Sequence, residues 1–219
     1  MAEKELQDIL RQEWDRRKRS GNLTECFDTL VGIYTNPNRS YHNLKHISEV
    51  IEELGSCSNA LYLAAWFHDA VYDPKAKDNE EKSAAFARKW CIDFGYVPEF
   101  ADEFERLILT TKHSKAPETE DEKRLCDADL AILGAEKSRF EEYEAGIRKE
   151  YSFYAEEAYY PVRAWVLERF LAKEHIYHTE KFRNKYEIKA RANLKKLIES
   201  WQEPLLEDDS CTINFAPKD

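Results

Sequence analysis

Residues 60–72 read ALYLAAWFHDAVY, a stretch that is apolar almost throughout and carries two strongly polar side chains, His68 and Asp69, next to each other. With no polar face, the stretch predicts a buried central helix rather than an amphipathic one. Asp73-Pro74 is expected to stop it, since a proline disfavours helical backbone in the residue before it. A carboxylate in such surroundings is costly without a partner. A metal ion would remove that cost.

Helical patterns extend on both sides of this stretch. From Glu3 to Lys18 the apolar residues Leu6, Ile9, Leu10 and Trp14 recur at helical spacing among charges. A second helix is expected over Leu23 to Tyr34 and a third over Tyr41 to Leu54, with Ser40 as its cap and Gly55 ending it. Further helices are expected over Asn79–Phe94, Pro98–Thr111, Glu136–Phe153, Tyr160–Lys173 and Lys185–Trp201, with Pro98 and Pro161 near helix starts. Lys112 to Arg124, KHSKAPETEDEKR, is polar and holds Pro117, so it reads as a loop between helices. No run alternates apolar and polar residues long enough to make a sheet. The expected fold class is all-α, a helical bundle.

Composition agrees: 6 Gly and 7 Pro in 219 residues leave few places where a helix must stop. An aromatic content of 13% supplies packing area enough to argue against disorder despite 35% charged residues. This length fits one domain over 1–219, with a motif core at about 39–134, C-terminal helices over 136–202 and an irregular tail over 203–219. The net charge of −10 repels long nucleic acid and anionic membrane, so neither is expected as a partner. Five widely spaced cysteines without a Cys-x-x-Cys fit reduced thiols better than a disulfide framework or zinc ribbon. With no apolar leader at the N-terminus and no span of about 20 apolar residues, the expected compartment is the cytoplasm.

Three clusters carry candidate chemistry. In Tyr41-His42-Asn43-Leu44-Lys45-His46 the two histidines are four apart, which on a helix places both on one face. His68-Asp69 is the second cluster. The third is Cys126-Asp127-Ala128-Asp129, an acidic pair ahead of another apolar run, in which either aspartate is a possible ligand and the other a helix cap. Together they offer imidazole nitrogen and carboxylate oxygen, a set that suits a divalent Mn, Mg, Fe, Co, Ni or Zn ion without choosing among them.

In the order His46, His68-Asp69, Asp129, these residues resemble the His…His-Asp…Asp signature of the HD-domain metal-dependent phosphohydrolase superfamily. His46-Ile47-Ser48-Glu49-Val50 resembles the segment around the first ligand of that family, and Ala128-Asp129-Leu130 the segment around its last, which favours Asp129 over Asp127. The stretches YHNLKHI, AAWFHDAVYD, DNEEKSA and DADLAILG are similar to a group of small HD proteins described as predicted phosphohydrolases. Tyr41-His42-Asn43-x-x-His46 is also similar to the matching stretch of the cyclic nucleotide phosphodiesterases.

The resemblance implies a helical HD fold with one or two divalent ions held by His46, His68, Asp69 and Asp129. It implies a catalytic role for Asp69, able to bridge two ions, and for His42 as general acid to a leaving oxygen. The implied substrate is a small phosphorylated, nucleotide-like metabolite attacked by a metal-activated water. Other scaffolds of this kind perform di-iron oxygenation, and a non-catalytic metal or nucleotide-binding module is a third reading. Arg39, Glu80, Lys112 and His113 are candidates for meeting substrate phosphate or orienting water. The family often carries a Lys soon after His-Asp, whereas this chain continues Ala70-Val71-Tyr72-Asp73-Pro74, with Lys75 and Lys77 beyond. His113 is the one histidine between His68 and Asp129 that could serve a second ion. His175 and His178 find no role in the motif. Tyr159-Tyr160-Pro161 and Trp165 read as core or interface packing, which leaves a homodimer open.

Overall fold

The computed structural model describes residues 3–17 and 23–202, and among them it holds ten α-helices, one short 3-10 helix and no strand. In chain order the helices are α1 (Glu3–Arg17), α2 (Leu23–Tyr34), α3 (Leu44–Leu54), α4 (Asn59–Phe67) and α5 (Asn79–Asp93). They continue as α6 (Pro98–Thr110), α7 (Glu120–Asp129), the 3-10 helix Leu130–Gly134, α8 (Lys137–Glu150), α9 (Glu156–Leu171) and α10 (Glu180–Gln202). The expected tail over 203–219, Cys211 with it, lies outside the described residues; Cys26, Cys57, Cys91 and Cys126 are free thiols.

Helix α4 is the axis of the bundle. Ser58 caps it by accepting from Leu61 N at 3.2 Å, and all eight residues from Ala60 to Phe67 are buried. It packs against α3, α5, α6 and α7. Trp66, near its C-terminal end, meets Trp14 of α1 and Phe27 and Tyr34 of α2 in edge-to-face pairs, with centroids 5.4–6.5 Å apart. Tyr34 Oη–H donates to the Trp66 carbonyl at 2.7 Å, so this aromatic knot also settles one buried hydroxyl.

The helix stops at Phe67, not at Asp73-Pro74. His68 still donates its backbone N–H to Ala64 O and Ala70 closes a tighter turn onto Phe67 O. The carbonyls of Asp69 and Ala70 are then taken by the Arg39 guanidinium at 2.7 and 3.0 Å. Ser83 of α5 accepts from Val71 N and donates to Val71 O. Side chains from two other segments thus satisfy the backbone that a longer helix would have satisfied internally, and they turn the chain out of the axis.

Other boundaries move for similar local reasons. Helix α3 is capped by Asn43, which accepts from Lys45 N at 2.9 Å; Ser40 does not cap it, and Tyr41 and His42 precede the helix. Gly55 ends α3 with φ 58°, and its N–H donates to Ile51 O. The segment expected as a loop to Arg124 becomes helical at Glu120, because Thr119 and Glu122 form a reciprocal capping box. Pro161 is not at a helix start: α9 begins five residues earlier, at Glu156, and carries the proline inside. Helix α10 begins at Glu180, before the expected Lys185, because the chain ahead of it is pinned by Asp127. No helix among the described residues is long and apolar enough to cross a membrane.

Candidate metal centre

The turn after α4, the first turns of α3 and the end of α7 meet at the floor of a cleft of about 700 Å³. His46 Nε2 lies 3.2 Å from His68 Nε2, 3.3 Å from Asp129 Oδ1 and 3.5 Å from Asp69 Oδ2. His68 Nε2 is 3.1 Å from Asp69 Oδ2 and 3.6 Å from Asp129 Oδ1. Both imidazoles are 98% or more buried. His46, His68 and Asp129 form a group that could hold a metal ion, their ligand atoms all within 4.8 Å of one another.

The donor set and its spacing fit such an ion. Ligand atoms about 2.1 Å from one ion are roughly 3.0 Å apart at right angles and roughly 3.4 Å apart at the tetrahedral angle, which matches the 3.1–3.6 Å found between these nitrogens and oxygens. His68 Nδ1 faces the Ala65 carbonyl at 2.9 Å; a carbonyl only accepts, so the proton is on Nδ1. The neutral ring therefore turns a bare Nε2 lone pair toward His46 Nε2. His46 Nδ1 is 3.0 Å from Tyr41 Oη, a partner able to accept its N–H and leave Nε2 for a cation.

Two nitrogens at 3.2 Å without a cation between them need a proton instead, and the electrostatics say so. Burial pushes the His46 and His68 imidazoles down, but the carboxylates of Asp69 and Asp129 outweigh it and hold both above their ordinary value, His68 well above. Burial would raise Asp69 and Asp129, yet the facing imidazoles hold both well below the ordinary carboxylate range. Positive charge is wanted at this point, and a divalent ion is one way to place it.

Asp127 is not at this centre. It is fully buried and turned away, accepting from the backbone N–H groups of His178 and Thr179 at 2.7 and 2.8 Å and from the Thr179 hydroxyl at 2.7 Å. Asp129, two residues on, faces His46, His68 and His113.

His42 and His46 do not share a helical face, because His42 precedes the helix; their rings nonetheless come within 5.9 Å. What orients His42 is Glu150 at the end of α8. Its side chain, with no exposed surface, accepts from Tyr41 N at 2.7 Å, His42 N at 3.0 Å, His42 Nδ1 at 2.7 Å and Tyr72 Oη at 2.9 Å. Burial raises the Glu150 carboxyl, and the hydrogen bonds from His42 and the two backbone N–H groups overcome it, bringing it down to about 2. With Nδ1 held by Glu150, the ring of His42, its centroid 4.2 Å from that of the tilted Tyr72 ring, keeps Nε2 as its free atom. Helix α8 comes this close because residue 146 is Gly: a Cβ there would stand 3.0 Å from Tyr41 Cβ and 3.1 Å from the Ser40 carbonyl.

Glu150 and Tyr72 carried no signal as site residues in the sequence. Glu150 ends an ordinary run of charges, Arg148-Lys149-Glu150, 108 positions after His42, and only packing brings them together.

The remaining candidates divide. Arg39 does not face the cleft as a phosphate ligand: its guanidinium is taken by the carbonyls of His42, Asp69 and Ala70 and lies near the Tyr34 and Tyr72 rings, so it fixes the turn carrying the site. His113 lines the cleft with Nε2 3.2 Å from Asp129 Oδ2, and its φ of 52° makes it the one non-glycine residue with positive φ among the described residues. Glu80 and Lys112 also line the cleft, but Lys112 Nζ is paired with Glu81 and the Lys77 carbonyl. His175 is half exposed and away from the floor, and His178 serves Asp127 through its backbone.

No family model matches the chain, and neither a curated protein nor a solved structure matches it.

Proposed function

We propose that this chain is a metal-dependent phosphohydrolase acting on a small phosphorylated metabolite, with His46, His68, Asp69 and Asp129 as ligands and His42 as proton donor. The observation that carries this reading is the meeting, on one cleft, of a two-imidazole, two-carboxylate cluster with a separate His42–Glu150 pair that leaves His42 Nε2 uncommitted. A divalent ion, if held by His46, His68, Asp69 and Asp129, would supply the acidity that makes water a nucleophile near neutral pH and would offset charge on the phosphoryl oxygens. The ordered resemblance to the HD superfamily points the same way.

The protein's own groups then have defined tasks. Glu150 holds a proton on His42 Nδ1, so a second proton on Nε2 makes the ring an imidazolium with a fixed donor direction. As water attacks phosphorus and the bond from phosphorus to the leaving oxygen breaks, His42 Nε2 gives that oxygen its proton. Tyr72 and the backbone bonds keep Glu150 from reorienting. Arg39 holds the carbonyls on either side of the turn that presents Asp69.

The test is phosphate release from a panel of phosphoesters by protein supplied in turn with Mn, Mg, Co, Ni, Fe and Zn, compared with chelator-treated protein. Metal-dependent release is expected, with His42→Ala keeping its metal while turnover falls about 100- to 10,000-fold. Iron content with dioxygen uptake and no phosphate release would point to oxygenation. Stoichiometric metal binding with no turnover on any ester would point to a binding module.

A further inference from the structure

The cleft above the floor has a chemistry of its own. Its far wall is built from the 3-10 helix, α8 and α9, and presents Ile132, Leu133, Tyr143, Val162, Val166 and Phe170. A volume of about 700 Å³ is several times that of a phosphate group and falls within the range of sites for drug-sized ligands, about 300–1,000 Å³. The space beyond the floor therefore belongs to the part of a substrate that is not phosphate, and its apolar, ring-bearing lining suits a part that is flat and apolar.

The cleft is also poor in free positive charge. Besides the histidines of the floor, three cationic side chains among the described residues line it, Lys77, Lys112 and Arg163. Lys112 is paired with Glu81, and Arg163 is committed to Glu144 at 2.5 Å and to the Tyr143 hydroxyl at 2.6 Å. Among the described residues, Lys77 alone of the three has no acidic partner. Helix α5 starts at the mouth, but its first turn carries Glu80 and Glu81, which occupy the positive end a phosphate would otherwise use. A polyphosphate chain with three or four negative charges finds there one ammonium, Lys77, set against the Glu80 carboxylate, in a chain of net charge −10.

Resting on the phosphohydrolase reading, we infer that the substrate is a phosphomonoester with a single phosphate at the floor and an apolar ring-bearing alcohol along the α8–α9 wall, and that nucleoside triphosphates and other polyphosphates are poor substrates. Val162 and Phe170 are specificity residues that touch this alcohol. The step is hydrolysis: the phosphorus–oxygen ester bond breaks, water supplies the new oxygen on phosphorus, and the alcohol leaves with one proton.

The test compares 2-phenylethyl phosphate, ethyl phosphate and a nucleoside triphosphate on the metal-loaded full chain; the two leaving alcohols are close in acidity, so a difference between them reports the wall. The expected kcat/KM is about 10- to 100-fold higher for the phenylethyl than for the ethyl ester, from burial of the ring, and higher for the phenylethyl ester than for the triphosphate. Phe170→Ala and, separately, Val162→Asp, the latter at a side chain 62% exposed and so tolerant of change, should narrow the phenylethyl-to-ethyl ratio. Equal rates for the two monoesters, a preference for the triphosphate, or an unchanged ratio in both variants overturns the inference while leaving the phosphohydrolase reading in place. If no ester is hydrolysed by metal-loaded protein, that reading falls and this inference falls with it.

Discussion

The two faces at the end of α7 carry one aspartate each, and their surroundings differ in kind. Asp127 meets three hydrogen-bond donors of fixed identity, two backbone N–H groups and a hydroxyl, and so has its charge compensated by the fold. Asp129 meets imidazoles, one of which presents a lone pair rather than a proton in its neutral form. A buried carboxylate satisfied by donors is a structural pin; one that shares space with imidazole lone pairs and a second carboxylate could hold a cation. The same comparison explains why two acids so close in sequence are not interchangeable.

Breaking the cluster should have the largest effect. His68→Ala or Asp129→Ala is expected to abolish stoichiometric metal by elemental analysis and to lower metal-dependent phosphate release at least about a thousandfold; full metal occupancy in either variant would sink the ligand assignment. Asp127→Ala sharpens the contrast from the other side. It should keep its metal but lose about 3 kcal/mol, or roughly 6–12 °C of melting temperature, as three donors at the start of α10 lose their acceptor. If Asp127→Ala instead lost metal at unchanged stability, the roles of the two aspartates would have to be exchanged.

Effects at Glu150 should be smaller. Glu150→Gln leaves a neutral acceptor beside His42, so turnover is expected to fall about tenfold with metal content unchanged. Its stability effect has a definite sign with pH. Since the folded-state carboxyl lies at about 2 against an ordinary 4.5, its stabilisation is full above about 4.5 and is lost as pH falls toward 2. Chemical denaturation of wild type and Glu150→Gln should therefore show a constant gap from pH 7 down to about 5, closing below it. The smallest change is expected for Gly146→Ala, where Tyr41 and Ser40 must give by a few tenths of an ångström; turnover should fall only a few-fold while metal content holds.

Much of the fold was legible from local pattern. The apolar run at Ala60–Phe67 announced a buried axis, Gly55 and Pro98 marked real boundaries, and the absence of alternating runs excluded a sheet. Helix α7 was missed although Thr119 and Glu122 form a readable capping box, because Pro117 and the surrounding charges looked like loop. The boundaries after Phe67 and before Leu44 were not legible at all, since Arg39, Ser83 and Glu150 satisfy that backbone from distant positions.

The sequence by itself determined the helical class, because residue type and short spacing fix helix periodicity, and it offered imidazole and carboxylate donors at His46, His68-Asp69 and the Asp127/Asp129 pair without saying which of them meet. Only the tertiary structure decided that Arg39 is spent on the turn, that Asp127 is a pin, that Glu150 orients His42, and that an apolar wall stands over the floor. Those outcomes depend on which distant groups meet, and the free energy of burying a charge is set by its neighbours in space rather than in sequence.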